Sequence, residues 1–72
     1  MCMSKLLAYR RQITQDMDTL QILMESNTHL SDPAAVERAL ERLTFKWSFI
    51  SEEDRDYIQA AQGALEDGTP WT

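Results

Sequence analysis

The chain has 72 residues, 43% of them hydrophobic, with one cysteine, one histidine and a formal net charge of −5 at pH 7. This length allows one domain, residues 1–72, whose core is only marginally able to stabilise itself. One cysteine excludes an internal disulfide, and one cysteine with one histidine cannot build a closed zinc site. The remaining ways to stabilise so small a chain are very regular helix packing and association with a partner.

The acidic balance argues against a protein that contacts nucleic acid directly, since such a domain would be basic overall. The charges are unevenly placed: residues 1–15 carry three cations and no acid, whereas residues 50–72 carry six acids and one cation. Such polarity favours antiparallel or head-to-tail pairing of the two ends. No apolar run approaches the ~20 residues that span a bilayer, and Met1-Cys2-Met3 does not begin a signal peptide. We therefore expect a cytoplasmic protein without a membrane partner.

The first and longest predicted helix covers about residues 4–26. Its apolar residues recur at intervals of three, four and seven, which is typical of one buried helix face; they are Met3, Leu6, Ile13, Met17, Leu20 and Met24. Residues 27–30 then form a connection. His29 in that connection has neither a second histidine nor a cysteine nearby, so it is expected at the surface.

The second predicted helix covers about residues 33–50. Asp32 or Ser31 can cap its free amides while Pro33 occupies its first turn, where a missing N–H costs nothing. Apolar residues then follow at alternating intervals of four and three, as in a heptad seam: Val36, Leu40, Leu43, Trp47 and Ile50.

The third predicted helix covers about residues 52–66, between Ser51 as N-cap and Gly68 as the stop, with residues 67–72 as a tail. The whole pattern predicts an all-α fold, a helical hairpin plus a short third helix that together make a three-helix bundle. Helix one would be ~35 Å long and helix three ~22 Å. One end of helix one would then be left uncovered by helix three, so we expect the protein to dimerise through helix one.

Phe45 and Phe49 are the candidate partner-binding residues that stand out most. In a straight second helix, Trp47 points to the core seam while Phe45 and Phe49 point almost oppositely. They then share a side with three cations spaced four apart, Arg38, Arg42 and Lys46. Aromatic side chains supply binding energy, and cations select an acidic or phosphorylated partner. The alternatives are a helix that bends near Thr44, or one with both faces buried within the chain.

Trp71 near the end of the chain has two interpretations, an anchor for another protein or a side chain that closes its own core.

The sequence contains no motif typical of an enzyme: there is no Gly-rich phosphate loop, nucleophile elbow, HExxH or CxxC. The acids at 52–56 point around most of a helical turn, and helix-start electrostatics explain them better than a metal site. We expect no enzyme activity, no cofactor and no metal.

The last third of the chain resembles small uncharacterised helical proteins of cyanobacteria and their phages. The resemblance rests on the aromatic pair and Ser-Glu-Glu cap in Trp47–Ile58, on Ala64-Leu65-Glu66, and on Pro70-Trp71. It implies a bacterial or viral cytoplasmic setting and no catalytic residues.

These observations predict a small protein–protein interaction module, an adaptor or regulator that acts as a helical homodimer and contacts a protein partner. Its candidate contact residues are Phe45, Phe49, Arg38, Arg42 and Trp71. The alternative is an acidic mimic of nucleic acid that inhibits a DNA-binding protein, based on the net charge and the acids of residues 50–72. Such a mimic needs its acids spread at phosphate-like spacing, and Arg38, Arg42 and Lys46 interrupt that pattern.

Overall fold

A computed structural model describes the backbone of residues 2–72 and the side chains from residue 5 onward. The elements in chain order are α1 (Cys2–Glu25), α2 (Thr28–Ser31), α3 (Pro33–Thr44), a 3₁₀ turn (Trp47–Phe49) and α4 (Glu52–Asp67). Because no strand occurs within this described range, the all-α prediction is confirmed. The predicted place of Met3 on the apolar face lies outside the described side chains.

The connection after α1 contains one more helical turn than expected. α1 ends where Asn27 adopts a left-handed backbone with φ 55°, a conformation that asparagine tolerates better than most residues. The Asn27 amide donates to the Met24 carbonyl at 2.9 Å, which closes the last turn. α2 follows at once, so residues 28–31 are helical and not a loop.

The start of α3 agrees with its prediction, but its end does not. The Asp32 side chain accepts a hydrogen bond from the Ala35 amide at 3.4 Å, and Pro33 lies in the first turn. The prediction of one continuous helix over residues 33–50 is wrong for its last six residues, because α3 ends at Thr44. Aromatic and β-branched residues crowd this stretch and favour helix weakly. The Thr44 hydroxyl also donates to the Glu41 carbonyl at 2.9 Å, a local bond that competes with the helical pattern.

A contact from α4 holds the 3₁₀ turn that follows α3. The Arg55 guanidinium donates to the Trp47 carbonyl, at 2.9 Å from Nη2 and 3.3 Å from Nε. It also lies over the Trp47 ring, 5.3 Å from the ring centroid. Because one cation holds both the carbonyl and the ring, it fixes the 3₁₀ turn against the start of α4.

Both predicted caps of α4 are confirmed. The Ser51 hydroxyl accepts from the Asp54 amide at 3.2 Å. At the other end Gly68 has φ 67°, a left-handed conformation that glycine adopts without strain, and its amide donates to the Ala64 carbonyl at 2.9 Å. α4 therefore spans the predicted helix with one additional residue.

The core lies beside the C-terminal half of α1, where α3 packs against both α1 and α4. Its buried hydrophobic residues are Ile13, Met17, Leu20, Met24, Val36, Ala39, Leu40, Leu43, Ile50, Ile58 and Ala61. Burial along α1 begins only at Ile13, so the described residues before it extend beyond the core. The molecule is correspondingly long, 43 × 19 × 17 Å, with a radius of gyration of 12.7 Å against about 11 Å for a compact chain of this size.

Candidate protein-interaction surfaces

The most exposed aromatic side chain lies where α3 ends. Phe45 is 81% exposed, and with Arg38, Glu41 and Arg42 it lines an open hollow of about 330 Å³. Arg38 is three and four residues before Glu41 and Arg42, and Phe45 is four and three residues after them, so the last turns of α3 bring the four together on one side. We call this group the Phe45 patch. It combines an aromatic side chain with two cations and the carboxylate of Glu41.

Phe49 lies on a different surface from Phe45. Its ring packs against Tyr9 of α1, with centroids 5.2 Å apart and planes inclined by 39°. With Lys5 and Leu6 the two rings line a hollow of about 420 Å³, which we call the α1 groove. Phe49 is still half exposed. The groove lies along the part of α1 that extends beyond the core.

The single face expected for Phe45, Phe49 and three cations is not formed. It required a straight helix, and the turn after Thr44 sends Phe49 toward α1 instead. Lys46 is also committed elsewhere, because its ammonium is 2.9 Å from the Asp16 carboxylate and both side chains are only 16% exposed. Arg38 and Arg42 stay beside Phe45 and exposed. The bend near Thr44, one of the alternatives left open by the sequence, is what the chain adopts.

Trp71 packs onto its own chain. Its ring lies against the Tyr57 ring, with centroids 5.2 Å apart, and contacts the edge of the core. Its backbone amide donates to Asn27 Oδ1 at 2.7 Å. The left-handed backbone of Asn27 thus ends α1 while its side chain holds the C-terminal segment. In this position Trp71 closes the core of its own chain and is not a free anchor for another protein.

The prediction that His29 is a surface residue is wrong. The side chain is 3% exposed, and Nε2 lies 2.6 Å from the Thr69 carbonyl oxygen. Because a carbonyl can only accept, Nε2 carries the proton and donates it. Nothing near His29 in the sequence signals this bond, since its acceptor lies 40 residues further on. Asn27 and His29 therefore fasten the segment after α4 onto the end of α1.

Tyr57, whose ring packs against Trp71, has a buried hydroxyl. Within the described residues this hydroxyl is buried without a hydrogen-bond partner. Burial raises the pKa of the Tyr57 phenol above its ordinary value of 10.0, and the negative charge of Glu25 raises it further. The folded state thus favours the neutral phenol more strongly than the unfolded chain does.

We predict that stability falls as the pH rises above 10 because Tyr57 must ionise. The contribution is complete below the unfolded pKa and is lost as the pH rises through the higher folded pKa. Urea unfolding between about pH 9 and pH 12 measures this loss. The control is Tyr57→Phe, which should be neutral or more stable by up to about 1 kcal/mol at pH 7 because it removes an unpaired buried hydroxyl. An unchanged alkaline loss in that variant would contradict the assignment.

The acids at the start of α4 act as helix-start charges in this structure. Glu52, Glu53 and Asp54 form the first turn, next to the Ser51 cap. Negative charge is favourable there because of the free amides and the helix dipole. Across the part of the chain that the structure describes, no three histidine, cysteine or acidic residues are placed to hold a metal ion. None of the described helices is long and apolar enough to cross a membrane.

Comparisons with protein-family models, curated proteins and solved structures each give no match.

Proposed function

We propose that this protein is a non-enzymatic interaction module of the cytoplasm, an adaptor or regulator built on a helical hairpin with a third helix in a three-helix bundle. It works as a homodimer that pairs through α1, and each copy presents the Phe45 patch to another protein. The observation that carries the proposal is the 81% exposure of Phe45 beside two exposed arginines. A phenylalanine in that setting loses no core contacts when it enters a partner's pocket.

The side chains of the Phe45 patch support a partner with an apolar pocket and negative charge around it. Arg38 and Arg42 lie on the same side of α3 as Phe45, whereas Lys46 is paired with Asp16. The partner would offer an apolar pocket bordered by carboxylates or phosphates. Phe49 in the α1 groove offers a second apolar contact.

Homodimerisation is supported by the apolar surface that remains on α1. Leu7 and Ile22 are mostly exposed on one side of α1, although the same helix supplies four core residues. Soluble proteins tolerate single exposed apolar side chains, but two large ones on the same side of one helix favour an interface. Pairing would cover these side chains, which α3 and α4 do not reach because they pack on another side of α1.

We predict that Phe45→Ser reduces partner binding about tenfold or more while the free protein stays folded. The bait is the full chain, its partner is recovered from host extract, and affinity is then measured with that purified partner. The matched control is Leu30→Ser, a substitution of another exposed apolar side chain. Equal binding by wild type and Phe45→Ser would contradict the role of the patch.

Salt separates the interaction module from the acidic nucleic-acid mimic. Binding centred on Phe45 should weaken only modestly between low and physiological salt, because its main contribution is apolar and its ionic part is limited to two arginines. A mimic of nucleic acid would lose affinity steeply over the same range. Steep loss together with an unaffected Phe45→Ser variant would favour the mimic.

A further inference from the structure

The outer face of α1, which points away from the core, carries two large apolar side chains that are mostly exposed. Leu7 is 51% exposed and Ile22 is 64% exposed. Between them lie exposed polar residues on the same side of the helix, and together the six make up what we call the outer face: Leu7, Arg11, Thr14, Gln15, Asp18 and Ile22. At 3.6 residues per turn they fall within roughly 100° of arc, centred roughly 140° from the buried stripe.

The outer face has a two-fold pattern. Leu7 and Ile22 lie equally far on either side of the midpoint between residues 14 and 15. Arg11 and Asp18 are also equally far from it, and they have opposite charges. If a second α1 is laid antiparallel about this midpoint, Leu7 meets Ile22 and Arg11 meets Asp18, while the polar Thr14 and Gln15 meet at the centre.

We propose that the homodimer forms by antiparallel pairing of the two α1 helices along their outer faces. Leu7 of each copy then packs against Ile22 of the other, and Arg11 of each copy pairs with Asp18 of the other. Thr14 and Gln15 lie at the centre, next to the two-fold axis. This inference rests on the proposed homodimer and specifies its surface, which is distinct from the Phe45 patch.

Charge complementarity selects this arrangement over a parallel one. Among the described side chains, the ion pair is Lys46 with Asp16, so Arg11 and Asp18 are available to a second copy. In a parallel pair in register, Arg11 would face Arg11 and Asp18 would face Asp18, which is repulsive. The antiparallel arrangement replaces both repulsions with two symmetric attractions.

The geometry of the fold allows the pairing. The midpoint of the face lies close to the middle of Cys2–Glu25, so two helices of ~36 Å overlap along almost their whole length. The core side of α1 stays against α3, and the two protein bodies lie on opposite sides of the helix pair. Each copy contributes only two large apolar side chains, so the contact is small and the dimer should dissociate at roughly micromolar concentration.

Disulfide trapping tests the register. In a Cys2→Ser background, Thr14→Cys should form a disulfide-linked dimer under mild oxidation, because the two copies of residue 14 lie on either side of the two-fold axis. Leu7→Cys alone should not, since its two copies are ~22 Å apart along the helices. A mixture of the Leu7→Cys and Ile22→Cys proteins should cross-link to each other. A dimer linked through Leu7→Cys alone would indicate parallel pairing and overturn the proposal.

Charge exchange tests the ionic pairs in the uncrosslinked protein. Arg11→Glu or Asp18→Arg alone should weaken dimerisation roughly tenfold, because each creates two like-charge contacts. The double variant Arg11→Glu with Asp18→Arg should return to within about threefold of wild type. These residues are exposed, so circular dichroism should show unchanged helix content in all three variants.

Sedimentation equilibrium of the wild type separates the homodimer itself from the antiparallel register proposed for it. A dimer without the predicted cross-links or charge rescue overturns the antiparallel outer-face register and leaves the homodimer standing. A monomer at high micromolar concentration overturns the homodimer itself and with it the register. The Phe45→Ser binding test is independent of both outcomes.

Discussion

Trp71→Ala should lower the free energy of unfolding by about 2–3 kcal/mol. The side chain is partly buried against Tyr57 and the core edge, so its removal loses apolar contact and leaves a gap above the Tyr57 ring. It also weakens the attachment of the C-terminal segment, although the amide bond to Asn27 remains possible. Urea unfolding followed by circular dichroism measures the change.

The matched control for Trp71→Ala is Phe45→Ala, which also truncates an aromatic side chain. Phe45 is 81% exposed, so this variant should differ from wild type by less than about 0.5 kcal/mol. The contrast assigns a structural role to one aromatic residue and a surface role to the other. Equal destabilisation by both variants would contradict the separation, and so would a Trp71→Ala protein as stable as wild type.

Leu20→Ala should destabilise the protein still more, by about 3 kcal/mol or above. Leu20 is 0% exposed and lies in the middle of the α1 stripe that faces α3. Truncation removes buried methyl groups and leaves a cavity that two packed helices cannot close. A chain of this size has only roughly 4–11 kcal/mol of total stability, so a large share of it would be lost. The midpoint of urea unfolding at low protein concentration reports the change.

Leu30→Ala is the control for Leu20→Ala, because it removes the same atoms from a side chain that is 46% exposed. We expect less than about 1 kcal/mol of loss, since little buried surface disappears. If Leu30→Ala were as damaging as Leu20→Ala, the core would not be centred between α1 and α3 as described.

The candidate site illustrates how far residue spacing can be used. Arg38 and Arg42 were predicted to lie together on one side of α3, and they do, because residues four apart in any helix are neighbours. Phe45 and Phe49 obey the same spacing but lie on different surfaces. Residues four apart are neighbours only within an unbroken helix, and α3 ends at Thr44, before both phenylalanines.

The sequence by itself determined the helical class and most helix ends. Ser51, Asp32 and Gly68 act on amides and carbonyls within four residues of themselves, so their effects need no knowledge of the rest of the chain. The periodic apolar positions likewise defined the buried stripe of α1 from Ile13 to Met24, because a helix has a fixed pitch. The prediction was wrong for Leu6, which is 44% exposed because this part of α1 extends beyond the core.

Only the tertiary structure decided where the chain turns after α3 and how its end is held. Arg55 captures the Trp47 carbonyl from eight residues away, and Lys46 reaches Asp16 across 30 residues. His29 meets Thr69 across 40 residues and Asn27 meets Trp71 across 44. Such bonds depend on which helices come together in space, and no local pattern encodes that, so a histidine with the sequence context of a surface residue became part of the interior.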